Sequence, residues 1–226
     1  MLIAFLVFVW WFVYGAFWKI TNIEIVNAKH TDIEALKTDI YNISNKKKFL
    51  IIPNNHILFL SKGQIERHII STYPSVEGVE IDKTTDKEIV LTIKDRKAMG
   101  VWCDEKCYFF DDEGILFKAA FDYTGAIFTK WSVASSTPLN FYDKALCLDL
   151  CIDKTFVSFL SENKIMKIVM ANEDLQMFTE HGFYIKALNN ATTTMRNVAL
   201  FRQEYKGDVK ALEYVDVRFW DKIFYK

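Results

Sequence analysis

Beyond residue 18 the chain breaks into short stretches whose apolar positions either alternate with polar ones or recur every third and fourth residue. Ile20-Thr21-Asn22-Ile23-Glu24-Ile25-Val26 is β-rich and partly alternating, which predicts a strand. Thr31 and Glu34 have capping-box spacing, and Ile33, Leu36, Ile40 and Ile43 follow with one apolar face, which predicts a helix. A loop carrying Pro53-Asn54-Asn55 comes next. Ser61 and Gln64 then repeat the capping offset, Ile65, Ile69 and Tyr73 supply a buried stripe, and Pro74 ends that second helix. Val79 and Ile81 alternate with Glu80 and Asp82, while Ile89, Leu91 and Ile93 alternate with Val90, Thr92 and Lys94. Thr84-Thr85-Asp86-Lys87 joins the two as a hairpin. The expected order over residues 19–96 is strand, helix, helix, strand, strand.

Residues 99–117 predict a hairpin or meander that turns at 111–114. Phe156, Phe159 and Leu160 after Asp153 predict a short helix. Strands are expected at 165–170, 175–179 and 183–188. A helix is expected at about 191–205, burying Met195, Val198 and Phe201 and ending before Gly207. Two final strands are expected at 211–219 and 222–225. No internal repeat or long low-complexity linker is visible, so the expected fold class is α+β, with a small first unit abutting a β-rich domain of antiparallel strands and flanking helices.

The first eighteen residues, MLIAFLVFVWWFVYGAFW, carry no charge. Eighteen residues of helix span about 27 Å, close to the hydrocarbon thickness of a bilayer. Tyr14, Trp18 and Lys19 suit an interfacial exit. A basic start and a small-x-small cleavage site, the marks of a signal peptide, are both missing from this stretch. The expectation is an uncleaved transmembrane helix over 1–18, its orientation not fixed by flanking charge.

Composition narrows the partners. With 28 Lys and Arg against 29 Asp and Glu, the net charge is −1, whereas phosphate binding calls for a basic surplus, so nucleic acid is not the expected partner. Lys46-Lys47-Lys48 is a short cluster that reads as a solvated loop.

Catalytic chemistry is hard to find. His30, His56, His68 and His181 are isolated. Asp111, Asp112 and Glu113 stand beside Gly114 and read as turn chemistry rather than acid/base pairs. No nucleophile elbow or glycine-rich phosphate cradle occurs, so no catalytic residue or cofactor is expected.

Four cysteines form two C-x3-C pairs, Cys103 with Cys107 and Cys147 with Cys151. Cys103 and Cys107 bracket an expected turn, where a disulfide would pin strand register. Cys147 and Cys151 share one face of a helix or strand, and pair with each other or with the first two. A four-thiolate zinc site has admissible spacing but lacks turn-forming glycines, and buried free thiols are the third arrangement.

The order strand, helix, helix, strand, strand after a membrane segment resembles the POTRA domain of the FtsQ/DivIB family of bacterial cell-division proteins. The family's junction after the third strand is matched by Arg96 and Trp102, with Asp95 in place of its glutamate and Ala98 in place of its proline. Tyr108-Phe109-Phe110-Asp111-Asp112-Glu113-Gly114-Ile115-Leu116-Phe117 is similar to its aromatic strand and Asp-x-x-Gly turn. Tyr214-Val215-Asp216-Val217-Arg218-Phe219 is similar to its closing motif, carried by Asp216 and Arg218. Residues 119–163 show little of the family pattern.

The resemblance implies a transmembrane helix at 1–18, a POTRA-like domain at 19–96 and a β domain at 97–226. It implies a non-enzymatic septal scaffold in the cytoplasmic membrane, single-pass with its C-terminal bulk outside. Its partners would be the FtsB/FtsL (DivIC-type) coiled-coil proteins and other divisome components. They would add to an exposed sheet edge at Phe219, Trp220, Asp221, Lys222, Ile223, Phe224 and Tyr225. The rival readings are a POTRA-bearing secretion or assembly protein and a membrane-tethered thiol or metal protein using the C-x3-C pairs.

Overall fold

The computed structural model describes residues 3–4, 8, 10–12, 19–29, 31–45, 47–48, 52–53, 60–84, 87–121, 128–134, 138–171, 173–220 and 222–226. The chain divides into two compact units, Met1–Arg96 and Lys97–Lys226.

In the first unit, strand β1 (Asn22–Val26) is followed by helix α1 (Ile33–Asn45) and by the short strands β2 (Lys47–Lys48) and β3 (Ile52–Pro53). Helix α2 (Lys62–Thr72) and the hairpin β4 (Val76–Lys83) and β5 (Glu88–Asp95) complete it. The sheet order is β1-β5-β4, with β1 parallel to β5 and β4 antiparallel to it. Parallel pairing requires a crossover, and α1 and α2 lie within it. Their apolar stripes meet the sheet: Leu36, Ile40, Ile65 and Ile69 are buried with Ile89 and Leu91. Each such side chain contributes about 1.5–3 kcal/mol on burial.

Local details depart from the sequence expectation. Asp32, not Thr31, caps α1, its Oδ1 accepting the N–H groups of Glu34 at 3.0 Å and Ala35 at 3.2 Å. A carboxylate is the better acceptor for the positive end of a helix, and Thr31 Oγ1 instead meets Ser75 Oγ. Ser61 occupies the N-cap of α2 but makes no side-chain cap bond. The lysine cluster is not simply loop, because Lys47 and Lys48 pair antiparallel with Pro53 and Ile52.

The transmembrane helix expected over 1–18 is not seen. Among the described residues no helix is long and apolar enough to cross a membrane. A span needs about 20 consecutive helical residues, and the described helical positions here, 3–4, 8 and 10–12, make no such run. The rest of that segment lies outside the described residues.

The second unit contains a nine-stranded sheet in the order β14-β13-β12-β11-β10-β9-β6-β7-β8. Its first strands are the meander β6 (Gly100–Cys103), β7 (Cys107–Phe110) and β8 (Leu116–Ala120). Strand β9 (Lys130–Val133) and the helices α3 (Leu148–Cys151) and α4 (Lys154–Glu162) follow. Next come β10 (Ile165–Ala171), β11 (Asp174–Thr179), β12 (Tyr184–Leu188), α5 (Ala191–Glu204), β13 (Tyr214–Asp216) and β14 (Phe224–Tyr225).

The sheet is mixed, not antiparallel as expected. β9 runs parallel to both β6 and β10, and β13 parallel to β12. The cause is connectivity: α3 and α4 form the crossover from β9 to β10, and α5 the crossover from β12 to β13. One face is covered by α4 and α5 over Trp102, Trp131, Ile168, Met177, Ile185 and Val215. The final strands are shorter than expected: β13 ends at Asp216, and the carbonyls of Val217 and Phe219 accept from Asn197 on α5 instead of from a neighbouring strand.

Candidate partner-binding site

Among the described residues, strand β14 lies at one end of the sheet order and pairs with β13. Val215 faces Tyr225 and Asp216 faces Phe224 across the pair. Lys226 N–H donates to Tyr214 O at 3.1 Å, and Lys226 O accepts from Tyr214 N–H at 3.3 Å. In an antiparallel ladder such double-bonded pairs alternate with pairs whose N–H and C=O groups point outward. The backbone of Tyr225 is therefore the one aimed at the free side of the edge.

The chain after β13 is held by the motif residues Asp216 and Arg218 and by two polar groups that the sequence pattern did not flag, Asn197 and Asp174. Asn197 is buried on α5, and its Nδ2 donates to Val217 O at 2.8 Å and Phe219 O at 3.2 Å. Its Oδ1 accepts from Arg196 Nε at 3.2 Å. Arg218 grips Asp216 through Nε at 2.9 Å and a second guanidinium nitrogen at 2.6 Å, and reaches Asp174 Oδ2 at 2.7 Å. Burial alone would push the Asp216 carboxyl up; the hydrogen bonds from the Arg218 side chain and backbone, with the charges of Arg218 and Lys186, hold it below its ordinary range. The same pairing with Asp216, against the opposing effect of burial and with help from Asp174, raises the Arg218 guanidinium still further. This fork ties β13 to the start of β11 and fixes where the chain leaves the sheet.

Beyond that clamp the side chains face outward. Trp220 is 79% exposed, Tyr225 57%, Phe224 50% and Phe219 47%. Phe219 and Phe224 meet edge to face at 5.5 Å, and Tyr225 leans on Tyr205 of the segment after α5 at 5.2 Å. Ile223 is half-buried against the core. Asn197, Leu200, Glu204, Phe219, Trp220, Lys222 and Ile223 line a shallow cavity of about 90 Å³. Asp221 lies outside the described residues. The cluster is a rim of exposed aromatic groups around a shallow pocket beside the last strand of the sheet.

The remaining motif residues are structural in their contacts. Arg96 donates from Nε to Pro74 O at 3.1 Å and from its backbone to Ser75 O at 2.8 Å, closing the end of β4. Trp102 is fully buried, and its indole nitrogen has no hydrogen-bond partner among the described residues. Asp111 Oδ1 accepts from the N–H groups of Glu113 at 3.0 Å and Ile115 at 2.8 Å, while Gly114 adopts φ of 76°. That is turn chemistry, and the positive φ explains the glycine. The cysteines pair within each C-x3-C: Cys103 with Cys107 across the β6–β7 turn, and Cys147 with Cys151 at α3. Cys147 and Cys151 are buried in the core, whereas Cys103 and Cys107 are half-exposed. His68 lies 3.8 Å from Asp39 on the first unit, and His181 sits in a turn; His30 and His56 lie outside the described residues.

One signal for Asn197 was present in the sequence. Thr194, Asn197, Val198 and Phe201 share one helical face, and an amide on such a face needs buried partners. No protein-family model matches the chain, and no curated protein matches it.

Proposed function

We propose that the chain is a non-enzymatic scaffold of the bacterial division septum, of the FtsQ/DivIB kind, acting outside the cytoplasm. Its task is to capture the FtsB/FtsL (DivIC-type) coiled-coil proteins by adding a partner strand to β14. The observation that carries this reading is the outward backbone of Tyr225 flanked by exposed Phe219, Trp220 and Phe224. Backbone pairing supplies affinity in such an addition, and pockets beside the strand supply selectivity. The two helices between β1 and the β4–β5 hairpin in the first unit, and the mixed sheet of the second, support the same reading. Two disulfides favour an oxidising compartment.

The experiment is binding of the purified chain to the coiled-coil division proteins of the same organism, beside two variants. Tyr225→Pro removes the outward N–H, a change that an edge strand tolerates. Trp220→Ser removes the largest exposed anchor. Both variants should keep the circular dichroism of the parent and lose at least tenfold in affinity. Undiminished binding by Tyr225→Pro would sink strand addition, and no binding by the parent would sink the scaffold reading.

A further inference from the structure

The face of the second sheet opposite α4 and α5 carries an ordered row of side chains. The strand register aligns Lys130 on β9, Lys167 on β10, Phe178 on β11, Tyr184 on β12 and Tyr214 on β13. Phe178 and Tyr184 are 5.7 Å apart and tilted by 32°; Tyr184 and Tyr214 are 5.9 Å apart and tilted by 30°. Each ring is thus tilted about 30° from its neighbour on the adjacent strand, and each is half-exposed. Lys167 sits 5.9 Å from the centre of Phe178, and Lys186 sits 4.7 Å from Tyr214 and 5.8 Å from Tyr184. Asp174 and Asp216 are the carboxylates on the described strand positions of β9–β13 on this face, and Arg218 engages both.

Cross-strand aromatic pairs stabilise a sheet by themselves. Three in register, with ammonium groups at their faces and the neighbouring acids occupied, also make a linear platform that favours a negatively charged ligand. Ring faces are electron-rich and attract partly positive C–H groups as well as cations. Successive rings are centred 5.7 and 5.9 Å apart, a repeat comparable with the length of one sugar in a β-linked pyranose chain. Successive sugars would therefore meet successive rings.

We infer that this face binds a β-linked pyranose chain bearing carboxylates, the chemistry of a peptidoglycan glycan strand. The sugar C–H faces lie on Phe178, Tyr184 and Tyr214, and the carboxylates meet Lys167 and Lys186. The choice of this polymer among carboxylated glycans rests on the septal reading; the platform itself is separate from the β14 edge.

The probe is peptide-free glycan strands released from peptidoglycan by an amidase, titrated into the full chain by calorimetry. Neutral chitin oligomers and polyglutamate are the comparison ligands. The parent should bind the glycan strands in a salt-sensitive way and chitin oligomers more weakly. Tyr184→Ala with Phe178→Ala should weaken binding tenfold or more. Lys167→Glu, at an exposed position, should weaken it several-fold and reduce the salt dependence without disturbing the fold. Trp220→Ser should leave glycan binding unchanged while losing the coiled-coil partner, which separates failure of this inference from failure of the edge reading. No glycan binding by the parent, equal binding by Lys167→Glu, or preference for polyglutamate would each overturn it.

Discussion

Replacing Asn197 by alanine should loosen the edge proposed to receive a partner, from beneath and without touching any exposed residue. The change deletes two donated hydrogen bonds, to Val217 O at 2.8 Å and to Phe219 O at 3.2 Å. Each is worth about 1 kcal/mol net, and leaving the carbonyl of buried Val217 unpaired adds roughly 1–3 kcal/mol when water cannot reach it. Partial relaxation offsets some of that, so the expected loss is about 2–3 kcal/mol. For a unit of this size that corresponds to a fall in Tm of roughly 6–12 °C. Urea unfolding of the second unit, followed by tryptophan fluorescence, gives the free energy directly. Asn197→Asp sharpens the test: it turns the donor into a second acceptor facing two carbonyl oxygens and buries a charge, so it should lose more than alanine. Both variants should also weaken coiled-coil binding at temperatures where they remain folded, because Asn197 anchors the carbonyls of Val217 and Phe219 beside β14. A loss under about 0.5 kcal/mol for alanine, the level of an uninvolved surface change, would refute the clamp.

Arg218→Met tests the fork below it. Asp216 is held below its ordinary range, so the pair's contribution is complete above the unfolded carboxyl value and fades as pH falls through the lower folded one. The variant should therefore lose part of the acid-side slope in urea midpoint against pH, and identical slopes would contradict the assignment. In the first unit, burial, then the hydrogen bond to Asp39, and then the charges of Asp39 and Asp32 push Tyr73 up to about 12. Stability linked to it is intact below the ordinary tyrosine range and is lost as pH rises towards that value. Tyr73→Phe should flatten this alkaline loss, and an unchanged alkaline profile would count against it. Mild reduction followed by alkylation and mass spectrometry should label Cys103 and Cys107 before Cys147 and Cys151, since only the second pair is buried; simultaneous labelling would contradict that order. Gly100→Ala should destabilise the second unit by about 1–3 kcal/mol through overpacking, because an added Cβ would lie 2.5 Å from the Phe110 ring. A neutral result would mean that the ring moves freely.

The periodic elements were legible because each obeys one rule along its length. Leu36 and Ile40, Ile65 and Ile69, and the alternation from Ile89 to Ile93 announce their burial without outside help. Strand β9 was not legible: it has four residues, of which Trp131 alone is fully buried, and its neighbours lie far away in sequence. Mixed rather than antiparallel pairing follows from where α3, α4 and α5 fall, which no local pattern encodes. The outward-facing residues of the candidate edge could be named from their composition. Asp216 and Arg218 could be named as a motif, but the groups that complete the clamp could not, since Asn197 reaches Val217 across 20 residues and Asp174 meets Arg218 across 44. The aromatic row was hidden for a related reason, as Phe178, Tyr184 and Tyr214 become neighbours only once the register is set.

The order of the sheet from β9 to β14 is also the order of the chain. A chain folding as it emerges from its N-terminus therefore finds each new strand's partner already in place. β9 docks on β6, β10 on β9, and so on to β14, each step covering the edge left by the last. On that side only one unpaired row of backbone groups stands open at a time, and it travels with the growing end. Open edges are where nascent β proteins associate wrongly. This topology restricts that hazard to a single moving front, and the front comes to rest at the strand proposed to receive the partner.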